Sequence, residues 1–585
     1  MLTEPESAQS EAWTLWPSPE DGGPPAAAGP EPVKPLRERQ YKQGQPAQQP
    51  ALLPACVDDY VAVDHPVRAI AAYVDTLDLE ALGFRHAGGG RGVGQPAYAP
   101  GDLLKLYLYG YQNRVHSSRR LEAECRRNLE VMWLLGGLCP SYHTIADFRK
   151  DNAAALKAAN REFVLLCREL GLVGGTRVGV DGSFFHGNAS AASVKTRKQL
   201  EAELAALEQD IDRYHEALAQ GDADEAAAPE TGSVSAEQLA ALEARAQRRR
   251  QMLQRLDETG ETQISRTDPD ARRLSKHGQK VTGYNVQSVV DAQHHLILTH
   301  EVTNAGNDLG QLVPMAEQAR QMLTDTQATE APQPLEVLGD AGYFTESDIA
   351  ACESRGIVAY VPVPEKTGAA ERAGRLSARE FVYEAEQDRY RCPGGEALYP
   401  YGQPDTRNGV DYRRYRSRAS VCASCPLKAQ CLPPAGKRRE ILRSEHTEAV
   451  ERHRERMAAA PQVMRQRAAL CEHPFGTLKR WLGWDHFLVR GFDKVRGEMA
   501  MIVHSYNFRR VLSILGVAAF IAYCQGRGRA KGLATGLFVA ACGLIGRIFR
   551  AFGTRGDDGP VTGPMASSLP LFPPHRAWLR PARAA

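Results

Sequence analysis

The sequence predicts a mixed α/β sheet, preceded by an all-helical module and interrupted by a helical hairpin and by a cysteine-containing insertion. Three observations predict it. Short apolar runs of strand type recur at 177–180, 284–290, 296–302, 337–339 and 358–361. Helical stretches at 309–323 and 346–355 separate the later runs, so strands first follow one another and then alternate with helices. Ahead of them, 66–79, 102–111, 118–128 and 142–152 carry apolar residues at helical spacing, and a linking helix covers 153–170.

Asp102, Ser118 and Ser141 are the expected N-caps of the early helices. The module at 51–170 holds a basic cluster, Arg114, Arg119, Arg120, Arg126 and Arg127, on short helices that suit a DNA-binding helix-turn-helix or, equally, ordinary solvated faces. The α/β part runs over 171–364, with a hairpin insertion at 192–260 in which Leu204, Leu207, Ile211, Leu239, Leu242 and Leu253 keep helical spacing. That hairpin would serve an intramolecular pairing or dimerisation equally well. The second insertion, 365–443, is rich in Tyr, Arg, Gly and Cys; helices return at 444–515, and a tail follows at 516–585. The first 50 residues, rich in Pro, Gln and Ala, read as a disordered arm.

A chain of 585 residues calls for several folding modules. With 43% hydrophobic and 24% charged residues, it is not wholly disordered, collagenous or membrane-embedded. Lys and Arg number 72 against 70 acids, a formal charge of +2, so any basic surface must be local. Twelve cysteines are too few for a disulfide scaffold, which favours a reducing cytoplasm. The N-terminus has neither a signal-peptide nor an anchor pattern, and the apolar stretches 511–524 and 532–546 are shorter than the roughly 18 residues of a membrane span.

Two segments share a pattern. Arg177-Val178-Gly179-Val180-Asp181-Gly182-Ser183-Phe184-Phe185 and Glu336-Val337-Leu338-Gly339-Asp340-Ala341-Gly342-Tyr343-Phe344 are each an apolar strand ending in Asp, then two small residues and two aromatics. One Asp-Gly after a strand is usually a turn. Two from one sheet can lie side by side, where paired carboxylates repel unless a cation sits between them, and the small residues let an ion or ligand approach. A third acid is expected on a helix, where Glu472 and Lys479 are two turns apart on one face; an ordinary pair of surface charges has the same spacing.

Val-Asp-Gly-Ser at Asp181, Gly-Tyr-Asn-Val-Gln at 283–287, Gly-Asp-Ala-Gly-Tyr at 339–343 and Glu-His-Pro-Phe-Gly-Thr-Leu-Lys at 472–479 closely resemble the bacterial insertion-sequence DDE transposases, within the group numbered eleven-eighty-two. Asp-His-Pro-Val-Arg at 64–68 and Ser-Tyr-His-Thr-Ile-Ala-Asp-Phe-Arg at 141–149 extend the resemblance to an InsH-like N-terminal domain. The resemblance implies a ribonuclease-H-like sheet with Asp181 from the first strand, Asp340 from the fourth and Glu472 from a late helix. It implies two Mg²⁺ (or Mn²⁺) ions held by these three acids, double-stranded DNA as partner (transposon ends and target), a homodimer in the active complex, and cleavage followed by joining. Related transposases also carry Tyr and Arg before the Glu; here no Tyr stands in place and Arg467 is one residue too far from Glu472. Lys479 and Arg467 are the implied DNA contacts near the site. A nuclease on the same fold, or a catalytically decayed DNA-binding protein or repressor, are the alternatives.

Cys392, Cys422, Cys425 and Cys431 have the elements of a tetrahedral Zn²⁺ site, although the five-residue gap is irregular; free or redox thiols are the other reading. Between 411 and 443 nine Lys/Arg, among them Arg413 and Arg414, face two acids, with Tyr412 and Tyr415 interleaved, a patch suited to a DNA backbone or a flipped base. His294-His295 reads as a hairpin turn; Asn304, Asn307 and Asp308 read as caps, and Trp481 and Trp484 as packing anchors.

Overall fold

The computed structural model describes residues 56–88, 96–223, 236–276, 278–324, 334–364, 372, 374–407 and 409–528. The arm at 1–50, the middle of the hairpin and the tail beyond 528 lie outside the described residues. Six helices come first: α1 (Pro66–Val74), α2 (Pro100–Gln112), α3 (Ser118–Arg127), α4 (Leu129–Leu134), α5 (Tyr142–Asp151) and α6 (Ala153–Glu169). Proline opens α1 and α2, at a position whose N–H has no helical partner in any case. Ala99 and Ser117, not Asp102 and Ser118, therefore precede α2 and α3. Ser141 caps α5 as expected, its Oγ accepting from Thr144 N at 3.3 Å.

The sheet is built on β1 (Arg177–His186). β2 (Val194–Thr196) and β3 (Gln263–Ser265) pair at the base of the hairpin insertion, and β4 (Arg272–Lys276), β5 (Gln279–Asp291), β6 (Ile297–Thr303), β7 (Leu335–Leu338) and β8 (Ile357–Tyr360) complete the fold. β5 lies antiparallel to β1 and β6, whereas β7 is parallel to β1 and β8 is parallel to β7. Counting the five strands that span the sheet, the order is third, second, first, fourth, fifth, with β4 pairing the start of β5. Alternation decides which way each residue faces. Phe185, Tyr284, Val286 and Val290 join the core formed with the first helices, and Val178, Val180, Val289 and Val337 join a second core under α9 (Leu312–Thr324) and α10 (Glu346–Ser354).

The hairpin insertion is the antiparallel pair that its periodicity predicts, α7 (Arg197–Ala223) and α8 (Ala236–Thr259). Leu200, Leu256 and Ile264 form a small core of their own, and Arg249–Glu203 (2.6 Å) ties the two helices. The second insertion contains a six-stranded antiparallel sheet: β9 (Val382–Glu384), β10 (Arg389–Arg391), β11 (Ala397–Pro400), β12 (Asp405–Arg407), β13 (Val410–Ser417) and β14 (Glu440–Ser444). After it come α11 (Thr447–Ala459), α12 (Pro461–Gly476), α13 (Phe492–Leu515) and α14 (Val517–Gly528).

The last two helices change the expected domain plan. α13 runs against α6 so closely that a Cβ on Gly497 would sit 2.6 Å from Ala153 Cα. Phe163, Phe508 and Phe520 pack ring to ring, which places the start of the expected tail inside the core of the first module. Arg149 pairs with the fully buried Glu498 at 3.0 Å. Among the described residues no single helix is long and apolar enough to cross a membrane; α13 and α14 pass the length and composition test together but are bent by 107°.

Candidate active site

Asp181 and Asp340 stand two residues beyond the last matched pair of the parallel strands β1 and β7, Gly179 with Leu338. Equal steps from a shared register bring the two side chains together. Arg467 on α12 bridges them, its Nη2 lying 3.8 Å from Asp181 Oδ1 and 3.8 Å from Asp340 Oδ2. β1 does not end at Asp181, as the pattern suggested; it continues to His186 paired with β5, and His186 is also bridged to His486. Asp181 accepts a hydrogen bond from Gly182 N and Asp340 one from Gly342 N, both at 2.9 Å. Burial pushes the Asp181 carboxyl up to about 6, with Arg467 opposing that rise and Asp340 adding to it.

Gly182 does not hold space open for an ion in the way the sequence suggests. A Cβ on Gly182 would collide with Gln287 Nε2 and Asp308 Oδ1, so this glycine accommodates protein side chains. Asp308 is not a helix cap. It is a fourth acid beside the pair, 2% exposed, accepting from Lys276 Nζ at 2.7 Å, Gln287 Nε2 at 2.8 Å and Asn285 Nδ2 at 3.0 Å. Tyr343 in turn donates to Gln287 Oε1. Asn285 and Gln287 were legible as residues of a strand and of the Gly-Tyr-Asn-Val-Gln motif, and Lys276 was not legible; the signal for the former was a run of polar side chains, Asn285, Gln287 and Ser288, inside an otherwise apolar buried strand.

The third acid is placed differently from the expectation. Cys471 packs beneath β1, its Sγ 3.7 Å from Val180 O, and Glu472, about 100° further round the helix, is exposed. Among the described residues no hydrogen bond or ion pair joins Glu472 to either aspartate, and no three His, Cys, Asp or Glu are arranged to hold a metal ion. The cation position between Asp181 and Asp340 is filled by Arg467. Two adjacent carboxylates that share a cation have the donor chemistry of a Mg²⁺ site, and the Glu472 carboxylate lies one residue from the helix surface that faces them.

Pro474 does not begin or break the helix. α12 passes through it and then widens into a π-turn, Thr477–Trp481, in which Leu482 N donates to Thr477 O. The turn aims Lys479 inward. Its Nζ donates to Ser183 Oγ at 2.6 Å and to Phe184 O at 2.5 Å, and burial lowers its pKa to about 8.

The other expected contacts divide. Arg119 and Arg120 are exposed, with Arg119 over the Tyr142 ring at 5.0 Å. Arg413 pairs with Asp388 at 2.9 Å, and Arg414 lies 3.9 Å from both Asp405 and Glu440, so part of the basic patch is neutralised internally. Tyr415 is buried and bonded to Asp388, which removes it as a base-stacking residue. Cys392, Cys422, Cys425 and Cys431 line one small cavity with Leu376, Phe381, Leu398 and Leu432. Burial raises the Cys431 thiol, and among the described residues the four cysteines are not arranged to hold a metal ion, so the zinc expectation finds no support.

The site is thus an apolar mixed sheet that presents paired carboxylates beside a lysine-bearing helix. Comparison then narrows the class. A family model described as a transposase DDE domain matches residues 255–508, and a second, described as a transposase domain (DUF772), matches residues 55–151. No curated protein and no solved structure matches the chain. The chain belongs to the DDE transposases. Asp340 and Glu472 fall inside the matched DDE span, while Asp181 precedes it and is joined to it by the geometry at Arg467.

Proposed function

We propose that this transposase binds the terminal inverted repeats of its insertion sequence, cuts the DNA at those ends and joins them to target DNA. The observation that carries this reading is the Asp181–Asp340 pair sharing one cation. Asp181, Asp340 and Glu472 would hold two Mg²⁺ (or Mn²⁺) ions, which supply activation of the attacking oxygen and stabilisation of the leaving 3′-oxygen. To hold these ions Arg467 would have to leave the aspartates, where it could instead meet a phosphate, and Glu472 would have to turn inward. Ser183 and Phe184 O hold Lys479 at the edge of the site, where its charge positions the backbone without reading sequence. Lys276, held by Asp308, balances the charge of the acids from the other side. Two ends handled together call for a homodimer.

The test uses a duplex carrying the DNA that borders the coding region, with Mg²⁺. The wild-type protein is expected to nick it at the element end and to join pre-cut ends to a second duplex. Asp181→Ala and Asp340→Ala are expected to retain binding and lose both products. Cleavage without joining would identify a nuclease, and binding without either product a decayed protein.

A further inference from the structure

A tight turn after α2 meets the π-turn after α12, and the contact between them is built for an anion. Arg114 closes the first turn with φ 59°, a left-handed conformation that costs a residue with a side chain about 1 kcal/mol or more. Glycine would fill that position without strain. Val115 N donates to Gly110 O at 2.8 Å, and His116, stacked on Trp484 at 3.6 Å and 3.3 Å from Leu482 O, locks the two turns together.

On this rigid base Trp481, 47% exposed, carries two guanidinium groups. Arg509 lies over its ring at 3.6 Å and Arg114 at 5.4 Å. No acid pairs with either among the described residues. Burial, and then the charge of Arg114, push the Arg509 guanidinium below its ordinary pKa, so the two cations repel across the indole. Arg480 on the π-turn and Arg119 and Arg120 in the first turn of α3 add three more exposed cations, in contrast to Arg126 and Arg127 at the end of that helix, which are held by Glu122 and Glu124 at 2.6 Å each. Lys479, two residues before Trp481, reaches Ser183, itself two residues beyond Asp181.

We propose that Arg114, Trp481 and Arg509 form a phosphodiester-binding platform for the DNA strand that leads into the Asp181–Asp340 site. The inference rests on the transposase reading for the identity of the strand. Its chemistry is independent of it: two unpaired guanidinium groups preorganised on one aromatic face take a phosphate from each of two neighbouring nucleotides, and the repulsion between them is relieved on binding. An acidic peptide would meet the same charges, but continuity with Lys479 and the carboxylate pair favours a nucleic-acid backbone.

The test is fluorescence anisotropy of a fluorescein-labelled duplex, titrated with the full-length protein at a series of KCl concentrations. Each phosphate contact contributes about 1 to the slope of log affinity against log salt. Arg114→Ala/Arg509→Ala should lower the slope by about 2, Arg114→Lys/Arg509→Lys should keep it, and Arg126→Ala should leave it at the wild-type value. If the double alanine variant fails to fold, Arg114→Gln and Arg509→Gln singly carry the same test, with a loss of about 1 each. A wild-type slope in the alanine and glutamine variants, or an equal loss in Arg126→Ala, overturns the platform. Wild-type protein that binds with this slope yet never cleaves overturns the cleavage reading and leaves the platform standing.

Discussion

Asp181 is where stability and chemistry oppose each other. Its carboxyl is held near 6 by burial, against an unfolded value of 3.8, so the native state keeps a proton that the unfolded chain has released. Below about pH 4 both states are neutral; between about pH 4 and 6 the unfolded chain ionises first and stability falls, a loss of about 2–3 kcal/mol that is complete above pH 6. Asp181→Asn should therefore stabilise the metal-free protein at pH 7.5, with the gain vanishing below pH 4, as read from denaturant unfolding at several pH values with chelator present. A gain that does not change with pH would contradict it. Lys479 gives the opposite signature. Its ammonium loses charge above about pH 8, so DNA affinity should fall between pH 7 and 9 in the wild type, hold in Lys479→Arg, and be lower and flat in Lys479→Ala. Of the site residues, the aspartates were legible because a repeated strand pattern placed them. Lys276 and Asp308 were not, because nothing in the chain says that Gly182 leaves room for a carboxylate belonging to a residue 126 positions later.

Among the elements, α13 does the most to join the halves of the molecule. Glu498, 0% exposed, accepts from Arg149 and from Leu488 N and Val489 N at 2.9 and 3.2 Å, so removing it leaves Arg149 charged and buried. Glu498→Ala should cost about 3–5 kcal/mol in chemical denaturation, and Arg149→Met/Glu498→Met together much less. Equal losses in the single and double variants would show that the pair's charges are not the reason. Strands β1, β5, β6, β7 and β8 and the early helices were legible because apolar residues recur with the right period over several turns or pleats. The sheet of the second insertion was not. Four of its six strands have only three or four residues, and β13 carries Tyr and Arg where alternation of apolar and polar residues would have signalled a strand.

For the whole molecule, the first helical module and the catalytic sheet share one continuous core that reaches Phe520 and Cys524, so the boundary expected at 170 is not a line of weak contact. Phe520→Ala should destabilise the protein by about 3–5 kcal/mol and lower the unfolding midpoint of both halves together, in a single transition. Two separate transitions would restore an independent module. The arrangement gives α13 contacts with α2, the π-turn and the sheet, which fixes Trp481 relative to Asp181. The proposed chemistry depends on Asp181 and Asp340 jointly holding a divalent ion. Mn²⁺ titration followed by electron paramagnetic resonance measures that directly: bound Mn²⁺ in the wild type and an affinity at least tenfold weaker in Asp181→Asn and in Asp340→Asn are the predicted result, and undiminished binding in either variant would contradict it.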